Sequence, residues 1–198
     1  MFQVRIHGRG GQGVVTGAEM LSIAGFLGGQ HAQAFPSFGS ERTGAPVVAY
    51  CRMDDREIRL REPVMEPDAI IIQDPTLLNQ VDVFSGLKKD GYILINTVRT
   101  FQELGLGEFV RDFQRDHLLT VGATELSIKY VGRPVPNVPL LGAFAAATGL
   151  ITLDAVQAAI GQKFKGAVAQ GNQDAAREAY EIVKQHTAKR EAYHAETM

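Results

Sequence analysis

Residues 8–13 read Gly8-Arg9-Gly10-Gly11-Gln12-Gly13, directly after the short apolar run Phe2–His7 and directly before a helix-like run. Glycines at a strand-to-helix junction allow positive φ, so successive N–H groups can turn outward together. The helix that follows adds its own unpaired N–H groups and the positive end of its dipole. Such a turn can hold an anion or accept the backbone of another subunit. Gly8, Gly10 and Gly13 also satisfy the dinucleotide pattern G-x-G-x-x-G. That fingerprint requires an acid about 20 residues further on to hold a ribose hydroxyl. The corresponding stretch, Gly28–Phe35, contains no Asp or Glu, the next acid is Glu41, and no Arg for a 2′-phosphate precedes Arg42. A phosphate loop of the Gly-Lys-Ser/Thr kind is excluded, because no such closing triplet follows the turn.

Two further segments stand out. Phe35-Pro36-Ser37-Phe38-Gly39-Ser40-Glu41-Arg42-Thr43-Gly44-Ala45-Pro46 combines aromatics, prolines and an acid–base pair in one loop. Arg42 can pair with a phosphate or carboxylate and be held by Glu41, while Phe35 and Phe38 on a stiffened loop suit a partner surface or a cleft cover. The plainer reading, equally open from the residues, folds both rings onto the domain's own core and leaves a surface ion pair of little worth. In Pro136-Asn137-Val138-Pro139, a proline is set to start a helix and Asn137 can bond backbone at its entry. No assembled nucleophile, base and orienter is visible. Ser22, Ser37 and Ser40 lack a Gly-x-Ser-x-Gly setting, and His7, His31, His117, His186 and His194 show no metal-ligand spacing. His7 is the one histidine placed at the carboxyl end of a strand, where open α/β sheets bind ligands, although a buried structural histidine fits the same position. Cys51, the single cysteine, sits in an apolar run and reads as a core residue. Alone it rules out an internal disulfide, a thiolate metal site and an iron–sulfur cluster held by this chain, which needs about four thiolates.

The elements that must position these residues alternate between strand and helix. Strands are expected at Phe2–His7, Val47–Met53, 69–73, Tyr92–Asn96 and Leu118–Val121, with a short extended piece at His31–Phe35. Asp54-Asp55 reads as a turn joining Val47–Met53 to a hairpin mate at Glu57–Leu60. Helices are expected from Gly11 to about Leu27, then at Thr124–Val131, Pro139–Thr148, Leu153–Lys163 and Asn172–Lys189, with Asp74-Pro75 opening a shorter one. Pro139–Thr148 is small and apolar all round, so it must pack on several sides. The fold class is α/β: a single Rossmann-like open sheet with flanking helices and a helical C-terminal part. Residues 1–189 form the domain and 190–198 a polar tail. With 45% hydrophobic and 21% charged residues and a net charge of −2, the composition is that of an ordinary globular domain. Its basic residues are interleaved with acids, which argues against nucleic acid, and no apolar run is long enough to span a bilayer. Cytoplasmic placement is expected.

Taken in series, Gly8–Thr16, Ala34–Pro46, 73–78 with 90–96, and Asn137–Phe144 resemble the gamma subunit of pyruvate and related 2-oxoacid:ferredoxin oxidoreductases. The resemblance runs over about residues 3 to 185. Where that family often carries Pro and a second Arg, this chain has Ser40 and Thr43, which leaves Arg42 as the cation of its loop. The resemblance implies a multi-subunit complex that uses thiamine diphosphate and Mg²⁺ to decarboxylate a 2-oxoacid, pyruvate or a related and even aryl one. Electrons pass through [4Fe–4S] clusters to ferredoxin, and the acyl group goes to coenzyme A. It implies alpha, beta and delta-type partner subunits that carry these cofactors, since no Gly-Asp-Gly with a downstream Asn-Asn occurs in this chain. It assigns no catalytic residue here. Gly8, Arg9, Gly10, Gly11, Gln12, Gly13 and Arg42 become candidates for a coenzyme A or anion cleft, and Phe35, Pro36, Ser37, Phe38, Gly39, Glu41 and Asn137 for an interface or cleft loop. A stand-alone dinucleotide-dependent oxidoreductase using Gly8–Gly13 is the alternative.

Overall fold

The computed structural model describes residues 1–37 and 43–196, with side chains through residue 188. Phe38, Gly39, Ser40, Glu41 and Arg42 lie outside the described residues. The sheet has six strands: β1 (Phe2–Arg9), β2 (His31–Pro36), β3 (Pro46–Asp54), β4 (Ala69–Ile72), β5 (Tyr92–Asn96) and β6 (Leu118–Val121), in the order β2-β3-β1-β4-β5-β6. Strands β1, β4, β5 and β6 run parallel, whereas β3 pairs antiparallel with both β1 and β2. The described helices are α1 (Val14–Leu27), α2 (Ala123–Val131), α3 (Asn137–Thr148), α4 (Leu153–Lys163) and α5 (Gly166–Glu196). The α/β class and the open sheet are as expected.

The helices share one face of the sheet. Val4 and Ile6 of β1, Cys51 and Met53 of β3, Ile71 of β4 and Leu94 of β5 pack there with apolar residues of all the helices. Side chains alternate along a strand, so the neighbours of these residues point the other way. Over β4 and β5 those neighbours are Ile70, Ile72, Ile93 and Ile95, covered by Leu77, Val83, Phe101 and Val110 from the segments between the strands. Over β1 and β3 they are polar: Arg5, His7 and Arg52 are all buried. Arg5 donates to the carbonyls of Val64, Val83 and Ser85, which ties the covering loops to the sheet. Helix α3 is buried along nearly its whole length, and at Gly142 a Cβ would lie 2.0 Å from the carbonyl oxygen of Ala176 in α5. That close approach is why its sequence is small and apolar on every side.

Several boundaries differ from expectation. Residues 57–60 form no strand; β3 takes β2 and β1 as partners instead, and the acids of Asp54-Asp55 end it in a bend. Local turn chemistry suggested a hairpin, but the long-range pairing with β1 buries β3 on both edges. Helix α1 starts at Val14 rather than Gly11, because Gly11 and Gly13 adopt positive φ (95° and 72°) that a helix cannot accommodate. Helix α3 starts two residues before Pro139, and α5 runs Gly166–Glu196, beyond both expected ends. Asp74 caps a 3₁₀ turn, Pro75–Asn79, by accepting from the Thr76 N–H. Thr152 caps α4 by accepting from the Ala155 N–H.

Candidate functional site

The glycine turn sits where β1 ends, at the carboxyl edge of the parallel strands. Gly8 and Arg9 still belong to β1, and Gly10 is drawn to the far end of the second unusual segment. The Gly10 N–H donates to Ala45 O at 2.9 Å, the Gly44 N–H donates back to Gly10 O at 3.0 Å, and Thr43 bridges Gly10 in parallel. Glycine 8 is required by space, since a Cβ there would meet Val14 Cγ2 at 2.6 Å. Gly13 is required twice over, by its positive φ and by Asn137, whose Nδ2 would lie 2.4 Å from an added Cβ.

Arg9, Gln12 and Asp74 lock the turn from below. The Arg9 guanidinium donates Nε to Asp74 Oδ2 (2.9 Å), one terminal nitrogen to Gly44 O (3.0 Å), and the other to Thr76 Oγ1 and Gln80 Oε1 (both 2.8 Å). Gln12 accepts from the Arg9 N–H at 2.8 Å and donates to Asp74 Oδ2 at 3.2 Å. Burial pushes the Asp74 carboxyl up, but hydrogen bonds from the Thr76 hydroxyl and N–H, the Arg9 charge and Gln12 together hold it below the ordinary carboxylate range. Arg9 and Gln12 therefore fix the shape of the turn, and their polar atoms are committed to it. Asn137 does the same from above: its Nδ2 donates to Gly13 O at 3.1 Å while its Oδ1 accepts from the Val138 N–H at 2.9 Å.

What the turn presents is backbone. No side chain caps α1, and the first intrahelical bond is from the Gly17 N–H to Gly13 O, so the N–H groups of Val14, Val15 and Thr16 have no helical acceptor. Gly11, Gly13 and Thr16 form a ridge between two hollows. One, of about 310 Å³, lies toward Arg9, Val15 and Val47; the other, of about 210 Å³, lies toward α2 and α5. An uncapped helix end of this length attracts negative charge.

Phe35 and Pro36 end β2, and the Phe35 ring packs on Tyr50 (centroids 5.2 Å apart) and under the Arg52 guanidinium (5.2 Å). The Ser37 N–H donates to Val48 O. So Phe35 lies against its own sheet, as the plainer reading had it. His7 is 5% exposed, and Arg5 Nε donates to its Nε2 at 3.1 Å. Arginine can only donate, so the imidazole proton sits on Nδ1, which has no partner among the described residues. Burial, assisted by the Arg5 charge, lowers the His7 pKa to about 4. Cys51 is fully buried and burial pushes its thiol up, so it carries no thiolate. Among the described residues no group of His, Cys, Asp and Glu is arranged to hold a metal ion, and no helix is long and apolar enough to cross a membrane.

The family model for pyruvate ferredoxin/flavodoxin oxidoreductase matches residues 3–182. The chain belongs to that family. It is 44% identical over 91% of its length to the pyruvate/ketoisovalerate oxidoreductases common subunit gamma of Pyrococcus abyssi, covering 96% of that protein. It is 51% identical over 81% of its length to the pyruvate synthase subunit PorC of Methanosarcina barkeri, covering 85% of it. The crystal structure of pyruvate oxidoreductase subunit PORC from Thermotoga maritima superposes with a TM-score of 0.76 at 35% identity, covering 91% of this chain and 95% of that one. The chain is thus a gamma subunit of a pyruvate or 2-oxoacid ferredoxin oxidoreductase.

Within this family member, the sequence missed the partners that hold the turn. Asp74, Thr76 and Asn96 stood in segments that carry the family resemblance, but beyond Asp74 as a helix cap no role was read for them, and Gln80 was not singled out. Asn96 bridges the ends of β4 and β6, donating to Gln73 O and Thr124 Oγ1 and accepting from the Thr124 N–H. The usable signal was position: Asn96 ends a parallel strand, and Asp74, Thr76 and Gln80 belong to the capped turn just after another.

Proposed function

We propose that this gamma subunit works in a thiamine diphosphate-dependent complex that oxidatively decarboxylates a 2-oxoacid to acyl-CoA and CO₂, and that its glycine turn lines the coenzyme A side of the cleft. The observation that carries the reading is the uncapped N-terminus of α1, held rigid by Arg9, Gln12, Asp74 and Asn137, with no lysine, histidine or uncommitted carboxylate among the described residues placed to do acid–base work. Coenzyme A brings phosphates, and backbone N–H groups at a helix start suit them without a reacting side chain. Thr43, the residue after Arg42 in the chain, bridges Gly10, and in this reading Arg42 and Glu41 serve the same cleft. Phe35, Pro36 and Ser37 lead into that loop from β2. Thiamine diphosphate, Mg²⁺ and the [4Fe–4S] clusters belong in this reading to alpha, beta and delta-type chains, for a single buried Cys51 cannot ligate a cluster. Ferredoxin is the acceptor of the complex, and the cytoplasm its location.

The test is affinity capture of the chain from its native extract without oxygen, with assay of coenzyme A-dependent oxidation across several 2-oxoacids. Cysteine-rich and thiamine-binding chains are expected in the eluate together with activity. In the recovered complex, Gly11→Ala should raise KM for coenzyme A several-fold and leave KM for the 2-oxoacid unchanged. At that position an added Cβ meets nothing within 4 Å, so the substitution acts through the backbone at φ +95° alone. A chain recovered without partners, or an unchanged KM for coenzyme A, would overturn the reading.

A further inference from the structure

The stretch that the turn signal marks as a hairpin mate finds no strand to pair with inside this chain. Residues 57–61 run without turn or bend, between bends at 55–56 and at 62. The Arg59 guanidinium donates to Glu57 Oε2 at 2.9 Å, which sets both residues on one face, as positions i and i+2 of a strand are. Both ends of the stretch are fixed. The Arg56 N–H donates to Asp54 Oδ1 at 3.3 Å, while Arg52 donates to Pro63 O and Arg5 to Val64 O, each at 3.4 Å. Between these anchors, among the described residues, no backbone N–H or carbonyl of residues 57–62 enters a hydrogen bond. An extended segment with free ladder groups is a template for a strand from elsewhere.

The side chains say which strand. The order is Arg56-Glu57-Ile58-Arg59-Leu60-Arg61-Glu62. Ile58 and Leu60 share a face, and Leu60 is 44% exposed. Arg56, Arg61 and Glu62 are exposed and form no ion pair among the described residues. A second copy laid antiparallel about a two-fold axis at Arg59 sets Ile58 opposite Leu60, Glu57 opposite Arg61 and Arg56 opposite Glu62. Symmetry repeats each pair, so apolar contacts flank the axis and opposite charges meet on both sides of them. An axis at Leu60 would set Arg59 against Arg61 and Ile58 against Glu62. One between Arg59 and Leu60 would set Glu57 against Glu62, and one at Ile58 would set Arg56 against Leu60. Of these, only the register at Arg59 joins apolar to apolar and charge to opposite charge. The two Arg59 side chains on the axis are offset by Glu57 of each chain. Both bonds between them use Glu57 Oε2, which leaves Oε1 for Arg61 of the second copy.

We propose that residues 56–62 form a self-pairing strand that joins two copies of this chain, antiparallel, with Arg59 on the two-fold axis. The inference goes beyond the role proposed for the glycine turn and does not depend on what that turn binds.

The test uses the full chain. Sedimentation over a range of concentration should show a monomer–dimer equilibrium that weakens as salt rises, because exposed ion pairs are screened. Arg61→Glu should weaken the dimer by at least about tenfold, and so should Glu57→Arg, since each sets like charges opposite one another. The double variant should recover dimerisation, and the two single variants, once mixed, should pair with each other. Position 59 reports the register. Facing residues of an antiparallel pair have Cα atoms about 4.5–5.5 Å apart, within the span of a disulfide. Arg59→Cys should therefore give a covalent dimer under mild oxidation, with Cys51 buried and silent. Glu57→Cys stands about 13 Å along the strands from its counterpart and should give none. A chain that stays monomeric at every concentration overturns the proposal. So does a double variant no better than the single ones, or cross-linking of Glu57→Cys in place of Arg59→Cys. Loss of the Arg59→Cys cross-link once the chain is in the captured complex would assign the strand to another subunit, and overturns it as well.

Discussion

His7 shows how a residue can stand at the right place for chemistry and be unsuited to it. It lies near the carboxyl end of β1, one residue before the glycine turn, yet Arg5 occupies its Nε2 and burial holds it neutral. Its pKa falls from 6.5 to about 4, so the folded protein binds fewer protons at this site than the unfolded chain does. Stability from this group is therefore complete above pH 6.5, declines as pH falls from 6.5 toward 4, and levels off below. At about 1.4 kcal/mol for each pH unit, the loss approaches about 3 kcal/mol. His7→Gln keeps an acceptor for Arg5 and removes the titration. Urea midpoints of the two proteins, measured from pH 7 to pH 4, should converge as pH falls, with the unaltered chain losing more. Parallel profiles would show that the imidazole is hydrated and free to ionise.

At the level of elements, the sheet edges and helix faces were readable and the pairings were not. The run 69–72 is β-branched enough to announce a strand buried on both faces, and Leu153–Lys163 appears with both ends as expected. The hairpin assigned to Glu57–Leu60 failed for a physical reason: a turn signal is local, while the partner of β3 is β1, more than forty residues earlier by the register Phe2↔Met53. The polar residues Gln3, Arg5 and Arg52 also hid the burial of these strands, since their partners come from the neighbouring strand residues Gln3 and His7 and from the carbonyls of the covering loops. In the site, the glycines were legible because their conformation is a property of the residue type. Asp74, Thr76 and Gln80 were not, because their role depends on the reach of Arg9. The same contrast separates two helical glycines. Gly142→Ala places a methyl 2.0 Å from Ala176 O, whereas at Gly161 the nearest neighbour of an added Cβ is Gln173 Nε2 at 3.8 Å. The first substitution should force α3 from α5 and cost about 1–3 kcal/mol. The second should be neutral or stabilise by up to about 1 kcal/mol through helix propensity. Thermal unfolding of both variants gives the two signs, and equal effects would mean that α3 and α5 are not in contact.

For the whole molecule, topology argues against a dinucleotide site at the glycine turn. A dinucleotide fold places a second parallel strand beside the first, and the acid at its carboxyl end holds the ribose. Here that position belongs to β3, which runs antiparallel to β1 and offers its N-terminal residues, Pro46 to Val48, beside Gly8 and His7. The chain leaving α1 enters β2, at the outer edge of the sheet, and β2 ends in Phe35 and Pro36 against Tyr50 and Arg52. Among the described residues, neither β2 nor the chain between it and β3 carries an acid to hold a ribose. Asp74, the carboxylate beside the turn, is already bound by Arg9, Gln12 and Thr76. Titration calorimetry of the full chain with NAD or FAD should therefore give no saturable heat, and the purified chain should carry neither. A bound dinucleotide would require the ribose to be held without the acid that the fold class normally places there, and would show that the glycine turn serves a second cofactor within the subunit.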